Sequence, residues 1–460
     1  MNPRPGRTLA VLFQKNNYSV FILSCFLFLF SCRNLFAQNH THTSVYSYAR
    51  TILDTLTSPL MHGRGYTHQG DKLAAAYIEK EFVRAGLLPF GNTYRQEFSL
   101  SINTFPGGAG LGYRSFNNYL RNGARVLVNC DAPYTPPAKG RIIWFDSLAV
   151  SSPERLSAFR KKNFKGKVMV IDEKGISSQE NGKLIKEMKG NPYGAAALVT
   201  FNNKRLMWDA SCQTAAFPGF EVLVPDSIHD SFKKEMKKSG GMYYFAGSKL
   251  IPDYKTQNLI GFVKGSVYPD SFIVFTAHYD HLGRMDKETY FPGANDNASG
   301  CAMLLNLAKY YSLPENKPRC SLAFMAFSGE EAGLLGSHYY TEHPVFPLKN
   351  IRFLTNLDIL GTGDEGITVV NGTIFPEEFI MLQALNNEKG FLAEVKSRGK
   401  ASNSDHYFFS EHGVRSFFIY TRGGIKAYHD IYDKSSTLPL TKFEDLFRLL
   451  CSFEKMLDKR

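Results

Sequence analysis

Hydrophobic positions recur along the chain with two different periods, and the switch between them divides it. Tyr46 to Leu60 and Gly70 to Gly86 read as helices; in the second, Leu73, Ala76, Tyr77, Ile78, Phe82 and Ala85 fall at helical spacing and Gly86 stands where a C-cap is expected. The turn-rich stretch Met61-His62-Gly63-Arg64-Gly65 joins them. From Asn103 to about Tyr254 the pattern changes to short strands, Arg125–Val128, Gly140–Phe145, Lys167–Ile171 and Ala195–Thr200, with turns and a basic helix near Lys183–Lys189. After Asn258 apolar strands alternate with helices: Ser271–Ala277, the helix Ala298–Tyr311, Ser321–Phe327 with a helix opening after Gly329, Phe353–Leu357, Arg415–Tyr420 and a terminal helix Thr441–Leu457. Near-continuous apolar strands separated by helices imply a largely parallel sheet covered on both faces. The fold expected is therefore α/β, a mostly parallel mixed sheet sandwiched by helices and formed by residues 38–102 and 255–460. Residues 103–254 are expected to be an inserted β-rich domain.

The first 37 residues follow different rules. Arg4, Arg7, Lys15 and Arg33 are present without an acid, and an apolar core runs from Tyr18 to Ser31 before Leu35-Phe36-Ala37. This is the layout of a secretory signal with cleavage after Ala37, its core being short of the ~20 residues that span a bilayer. Leu29-Phe30-Ser31-Cys32 loosely resembles a lipobox, so a lipid anchor at Cys32 is the alternative. The protein is expected to be exported, periplasmic or extracellular, or held at the outer membrane if lipidated, with no membrane span. Beyond residue 37 the chain carries 50 basic and 42 acidic side chains, a balance of +8, scattered rather than gathered into an arm for nucleic acid. Cys130, Cys212, Cys301, Cys320 and Cys451 form an odd, scattered set with no CxxC pair, which is neither a disulfide framework nor a thiolate metal site. Oligomeric state is not legible.

Five polar groups stand at the ends of the apolar strands of the third region. His278-Tyr279-Asp280 puts an imidazole and a carboxylate on one side of an extended segment, an arrangement in which the carboxylate fixes the tautomer of a metal-bound histidine. Asn295-Asp296-Asn297 follows, either a turn capping the next helix or a carboxylate whose two oxygens bridge two cations. Glu330-Glu331 is a helix N-terminus favoured by the dipole, or a metal ligand next to a free base. Asp358 lies between apolar pairs, where a charge needs a partner. Tyr428-His429 sits in an aromatic loop, preceded by Ser404-Asp405-His406. Each has an ordinary structural explanation by itself; the order His, Asp, Glu-Glu, Asp, His in one α/β region points to a shared site.

The segments AHYDHLG, GANDNASG, SGEEAGLLGS, NLDILG, SDHYF and YHDIYDKSSTL, with MHGRGYTHQGDKLAAAYIEKEFVRAGLLP upstream, resemble those of the clan MH di-zinc metallopeptidases that include bacterial leucyl aminopeptidases. GKVMVI and GAAALVTF in the inserted region resemble, more weakly, a protease-associated domain. The resemblance implies two Zn2+ per chain, one held by His278, Asp296 and Asp358 and the other by Asp296, Glu331 and His429, with Asp296 bridging. It further implies Glu330 as general base, Asp280 orienting His278, Tyr428 stabilising the oxyanion, and His406 as a neighbour of the site. Peptides are the implied substrates and aminopeptidase action the implied function. A single-zinc glutaminyl cyclase and a non-catalytic peptide-binding module are the alternatives. Arg398 and Arg422 leave a site for a substrate carboxylate open.

Overall fold

The computed structural model describes residues 44–114, 119–176 and 179–459. The expected signal segment 1–37, the cleavage expected after Ala37 and the alternative lipid anchor at Cys32 lie outside the described residues.

Strands β1 (Leu88–Pro89) and β2 (Arg95–Thr104) follow the two N-terminal helices, Val45–Leu56 and Gly70–Ala85. Seven strands then build a separate sheet: β3 (Ala109–Gly112), β4 (Val126–Val128), β5 (Thr135–Phe145), β6 (Lys167–Asp172), β7 (Ala197–Asn202), β8 (Gly219–Leu223) and β9 (Gly241–Ala246). The chain returns through β10 (Lys249–Val263), β11 (Tyr268–His278), β12 (Cys320–Phe327), β13 (Ile351–Leu357), β14 (Ile367–Val370), β15 (Val395–Ser397) and β16 (Ser416–Thr421).

The larger sheet has the order β1-β10-β12-β11-β13-β16-β14-β15, with β2 pairing β10. Its centre, β12-β11-β13-β16, is parallel, whereas β10 joins β12 and β14 joins β16 in antiparallel register. The alternation of side chains along a strand explains why these segments are apolar throughout. On β11, Ile273, Phe275 and Ala277 enter the core beneath the helices Val45–Leu56, Gly70–Ala85, Ser299–Tyr311 and Phe443–Lys459, while Phe272 and Val274 enter the core on the opposite face with Tyr340 and Phe409. On β12, Leu322, Phe324 and Ala326 face the first core and Ala323, Met325 and Phe327 the second.

The second sheet, β3-β9-β5-β6-β7-β8-β4, is also mixed, with β5 to β8 parallel. Parallel neighbours need crossovers, and three helices, Pro153–Arg160, Gln179–Lys189 and His229–Ser239, accompany the strands expected there. One face of this sheet packs on Leu282, Met285 and Phe291, from the loop that leaves β11. The loop before Asp296 is thus clasped between the two sheets.

Two local expectations change. Leu73 is 44% exposed and Ala76 is also on the solvent side; the buried stripe of that helix is Ala74, Ala75, Ile78 and Phe82, a rotation that brings small residues against its neighbours. The helix after β12 begins only at Leu335, so Glu330 and Glu331 lie in the preceding turn and are not held by a helix dipole. Asn297-Ala298-Ser299 and Asn371-Gly372-Thr373 have the N-x-S/T pattern of glycosylation acceptors, and both asparagines are fully buried. All five described cysteines are free thiols.

Candidate metal centre

His278 ends β11, Glu330 and Glu331 follow β12, Asp358 follows β13, and His429 lies in the loop after β16; all four strands are neighbours in the parallel centre. Parallel strands place their C-terminal ends on one edge, where loops carry polar groups. Asp296 reaches that edge from the loop between β11 and the helix Ser299–Tyr311.

Asp296 stands between the two histidines. Its Oδ1 is 3.3 Å from His278 Nε2 and its Oδ2 is 3.1 Å from His429 Nε2. His278 Nε2 is also 3.4 Å from Asp358 Oδ1, and His429 Nε2 is 3.2 Å from Glu331 Oε2. Glu330 Oε2 lies farther out, 3.9 Å from His278 Nε2. Potential ligand atoms of His278, Glu330 and Asp358 fall within 4.8 Å of one another, as do those of His278, Asp296 and Glu331. By individual distances, however, Glu331 is the neighbour of His429 and Glu330 is the outlier. The shorter contacts put Asp296 and Asp358 beside His278, and Asp296 and Glu331 beside His429.

The loops that present these groups are fastened by hydrogen bonds. Gly293, at φ +60°, has no room for a Cβ, which would meet Asp296 O at 2.2 Å. Asn295 Oδ1 accepts from Gly361 N–H, Ser299 Oγ accepts from Leu360 N–H, and Asn297 Nδ2 donates to Leu357 O, tying the Asp296 loop to the Asp358 loop. Asn297 Oδ1 also accepts from Gly300 N–H at the start of the helix, so the capping function falls to Asn297 and leaves Asp296 free. The fully buried Arg64 donates to the carbonyls of Tyr279, Pro292, Gly293 and Asp296.

Several partners were not visible in the sequence. His429 Nδ1 is 2.9 Å from Asp209 Oδ1, and Trp208 N–H donates to His429 O; both residues come from the segment between β7 and β8. His281 Nδ1 is 2.5 Å from Glu331 Oε1, and Ser404 Oγ donates to Asp358 Oδ2. Asp280 accepts from Tyr66 Oη–H and from the backbone N–H of Glu330 and Glu331, while His278 Nδ1 lies 3.2 Å from the Asp280 carbonyl and 3.8 Å from its carboxylate. Asp280 therefore fixes the Glu330-Glu331 turn as well as neighbouring His278. Asp433 receives Asn295 and Asp296 N–H. His281, Ser404 and Asp433 lay inside quoted motifs, whereas Asp209 carried no signal. His406 packs on Phe418, a ring that lines the cleft, and burial lowers its pKa to about 4.

The electrostatics are those of a site crowded with carboxylates. Burial pushes the Glu330 carboxyl well above its ordinary range; His278 opposes this and Glu331 and Asp358 reinforce it. Burial likewise raises Asp280 to about 6. Burial and Asp296 would raise Glu331, but His429 and His281 bring it down to about 2. Asp296 is held well below the usual range, burial being outweighed by hydrogen bonds from His278 and His429. Burial works against the charged form of both histidines, yet Glu330, Asp358 and Asp296 raise His278 and Glu331, Asp209 and Asp296 raise His429. Protons on two imidazoles thus balance the cluster, and cations binding to deprotonated ligands would take over that function. Asp358 Oδ1 is buried without a hydrogen-bond partner, an oxygen with a lone pair to offer. Imidazole and carboxylate donors without thiolate suit zinc. A cleft of about 250 Å³ opens beside the cluster, lined by Asp296, Glu330, Asp358, Arg398, Tyr428 and His429 among others. Tyr428, 42% exposed, stacks on His429 with ring centroids 4.0 Å apart.

The profile of peptidase family M28 matches residues 258–453. The aminopeptidase YwaD of Bacillus subtilis (strain 168) is 30% identical over 259 residues, 55% of this chain and 52% of that protein. A probable zinc metalloprotease of Leptosphaeria maculans is 37% identical over 123 residues, 26% of this chain and 28% of its own length. The chain thus spans about half the length or less of these curated relatives. In fold it is similar to a zinc aminopeptidase from Bacillus subtilis, with a TM-score of 0.63 and 20% identity over 88% of this chain and 93% of that one. It is equally similar to a peptidase M28 precursor from Shewanella amazonensis SB2B, with a TM-score of 0.63 and 18% identity over 90% and 92% of the two chains. The stretch that the family M28 model matches, residues 258–453, carries the whole constellation from His278 to His429.

Proposed function

We propose that the protein is an exported zinc-dependent exopeptidase, an aminopeptidase that hydrolyses N-terminal residues from peptides with two zinc ions at one site. The observation that carries this reading is that the two oxygens of Asp296 face different histidines, His278 and His429. A carboxylate that bridges two cations must be disposed in this way. In this reading His278, Asp296 and Asp358 hold one ion, and Asp296, Glu331 and His429 the other. The names of the Bacillus and fungal relatives, an aminopeptidase and a probable zinc metalloprotease, support the choice of metal and reaction.

When bound, zinc lowers the pKa of a coordinated water toward ~7 and polarises a carbonyl oxygen. Glu330, at the outer edge of the cluster, accepts the water proton on its carboxylate and returns it to the leaving amine, work typically worth ~10²–10⁴-fold. Asp280 holds the Glu330-Glu331 turn and the His278 ring in place. Tyr428 offers its hydroxyl from the cleft wall to the oxygen on which negative charge develops.

Residues 38–102 and 255–460 are taken as the peptidase domain and 103–254 as an insertion, supported by the separate sheet of the latter and by a hydrophobic cluster formed wholly within it, which includes Phe145, Phe159 and Ile171. The basic, apolar N-terminal layout supports export, and no helix among the described residues is long and apolar enough to cross a membrane. The test compares unblocked and N-acetylated aminoacyl substrates on zinc-loaded protein, alongside Glu330→Gln. Cleavage of only the unblocked compound, and its loss in Glu330→Gln, is expected. Equal cleavage of both, cyclisation of N-terminal glutamine, or full activity in Glu330→Gln would contradict the reading.

A further inference from the structure

The cleft beside the candidate metal centre has one arginine among its lining residues, Arg398, whose guanidinium lies next to Tyr420. An exposed arginine is ordinarily a solvated surface group, but three observations set this one apart. First, among the described residues Arg398 has no carboxylate partner; its side-chain hydrogen bond is a long one of 3.5 Å to Tyr420 Oη. Second, the other arginines near the site are engaged. Arg422 pairs with Glu394 and donates to Glu365 O, Arg205 pairs with Asp430, and Arg64 is spent on backbone carbonyls. Third, Arg398 is anchored by its own backbone, whose N–H donates to Val369 O at the end of β14. A rigid strand edge therefore presents a free, planar, permanently charged fork to the same cleft that contains Asp296, Glu330 and Asp358.

Such a fork is matched by a carboxylate, which it binds through two parallel charge-assisted hydrogen bonds. The cleft, at about 250 Å³, is smaller than a typical ligand pocket and admits a short group rather than a folded partner. We propose that Arg398 is a specificity residue that binds a carboxylate of the substrate, so that the site prefers peptides bearing an acidic group close to the scissile bond. This rests on the peptidase reading and deepens it by naming the substrate class. The carboxylate has two sources, an acidic side chain on the N-terminal residue or the free C-terminus of a dipeptide. The first makes the enzyme an acidic-residue aminopeptidase and the second a dipeptidase.

The experiment measures equilibrium binding to the zinc-loaded full chain, wild type, Arg398→Gln and Arg398→Lys, with ligand pairs that differ in charge alone. One pair is glutamic acid α-amide and glutamine α-amide; the other is Leu-D-Leu and its C-terminal amide. In one pair the acid is expected to bind about tenfold or more tighter than its neutral twin, a preference lost in Arg398→Gln and partly restored in Arg398→Lys. The first pair identifies the side-chain source and the second the C-terminus. Equal binding of acid and neutral forms in both pairs, or a preference that survives Arg398→Gln, overturns the proposal. Hydrolysis of glutamyl p-nitroanilide, leucyl p-nitroanilide and Leu-Leu by the same sample reports on the peptidase reading separately: acid-selective binding without turnover of any of the three would sink that reading and leave the role of Arg398 standing.

Discussion

His429 Nδ1 meets the carboxylate of Asp209 at 2.9 Å, across 220 residues of sequence. The pair joins the loop after β16 to the segment between β7 and β8, and Trp208 N–H donates to the carbonyl of the same histidine. A histidine that donates from one ring nitrogen to a carboxylate presents the other in a fixed orientation and with greater basicity. Residues outside the M28 match thus take part in shaping the centre.

Asp209→Asn should weaken binding of metal at the His429 side. Loss of such a partner typically costs 10–100-fold in affinity, and because Asp209 is 68% exposed the expected loss is at the lower end, about tenfold. Zinc titration against a competing chelator measures it. Two ions of unchanged affinity would remove Asp209 from the site.

Asp296→Ala should disturb both ions together, since the two oxygens face separate histidines. Metal analysis of the folded variant is expected to find neither site filled normally. Retention of two ions per chain would refute bridging.

Tyr428 lies at the cleft and stacks on His429. Tyr428→Phe should lower kcat while metal content stays intact. An unchanged kcat would strip the hydroxyl of its oxyanion role.

Away from the centre, burial raises Glu454 to about 7, against an ordinary value of 4.5, with its Oε2 accepting from Tyr311 Oη–H and its Oε1 unpartnered. The folded state binds the proton more tightly than the unfolded one. The stability contributed by that proton is therefore fully present below pH 4.5 and is lost as pH rises through about 7. The shift corresponds to roughly 3–4 kcal/mol. Glu454→Gln should raise the melting temperature at pH 8 more than at pH 5. A pH-independent difference would contradict this.

Much of the arrangement was legible because it follows from chain direction. His278, the Glu330-Glu331 pair and Asp358 each terminate an apolar strand, and parallel strands deliver their ends to one edge. Asp296 and His429 arrive from loops, and their motifs, not their periodicity, signalled them. Asp209 was invisible since nothing local marks an exposed aspartate that meets a histidine 220 positions away. The helix Gly70–Ala85 was legible in extent but not in rotation: Leu73 fits the spacing, yet Ala74 and Ala75 occupy the buried face with Ile78 and Phe82. The helices beside the second sheet were harder to see because their sequences, such as HDSFKKEMKKS, are mostly polar, with only a narrow buried stripe.

The most direct test is the number of metal ions bound per chain in the purified, folded protein. The account predicts two zinc ions, with loss of both in Asp296→Ala. A single ion per chain, undisturbed by that substitution, would contradict it.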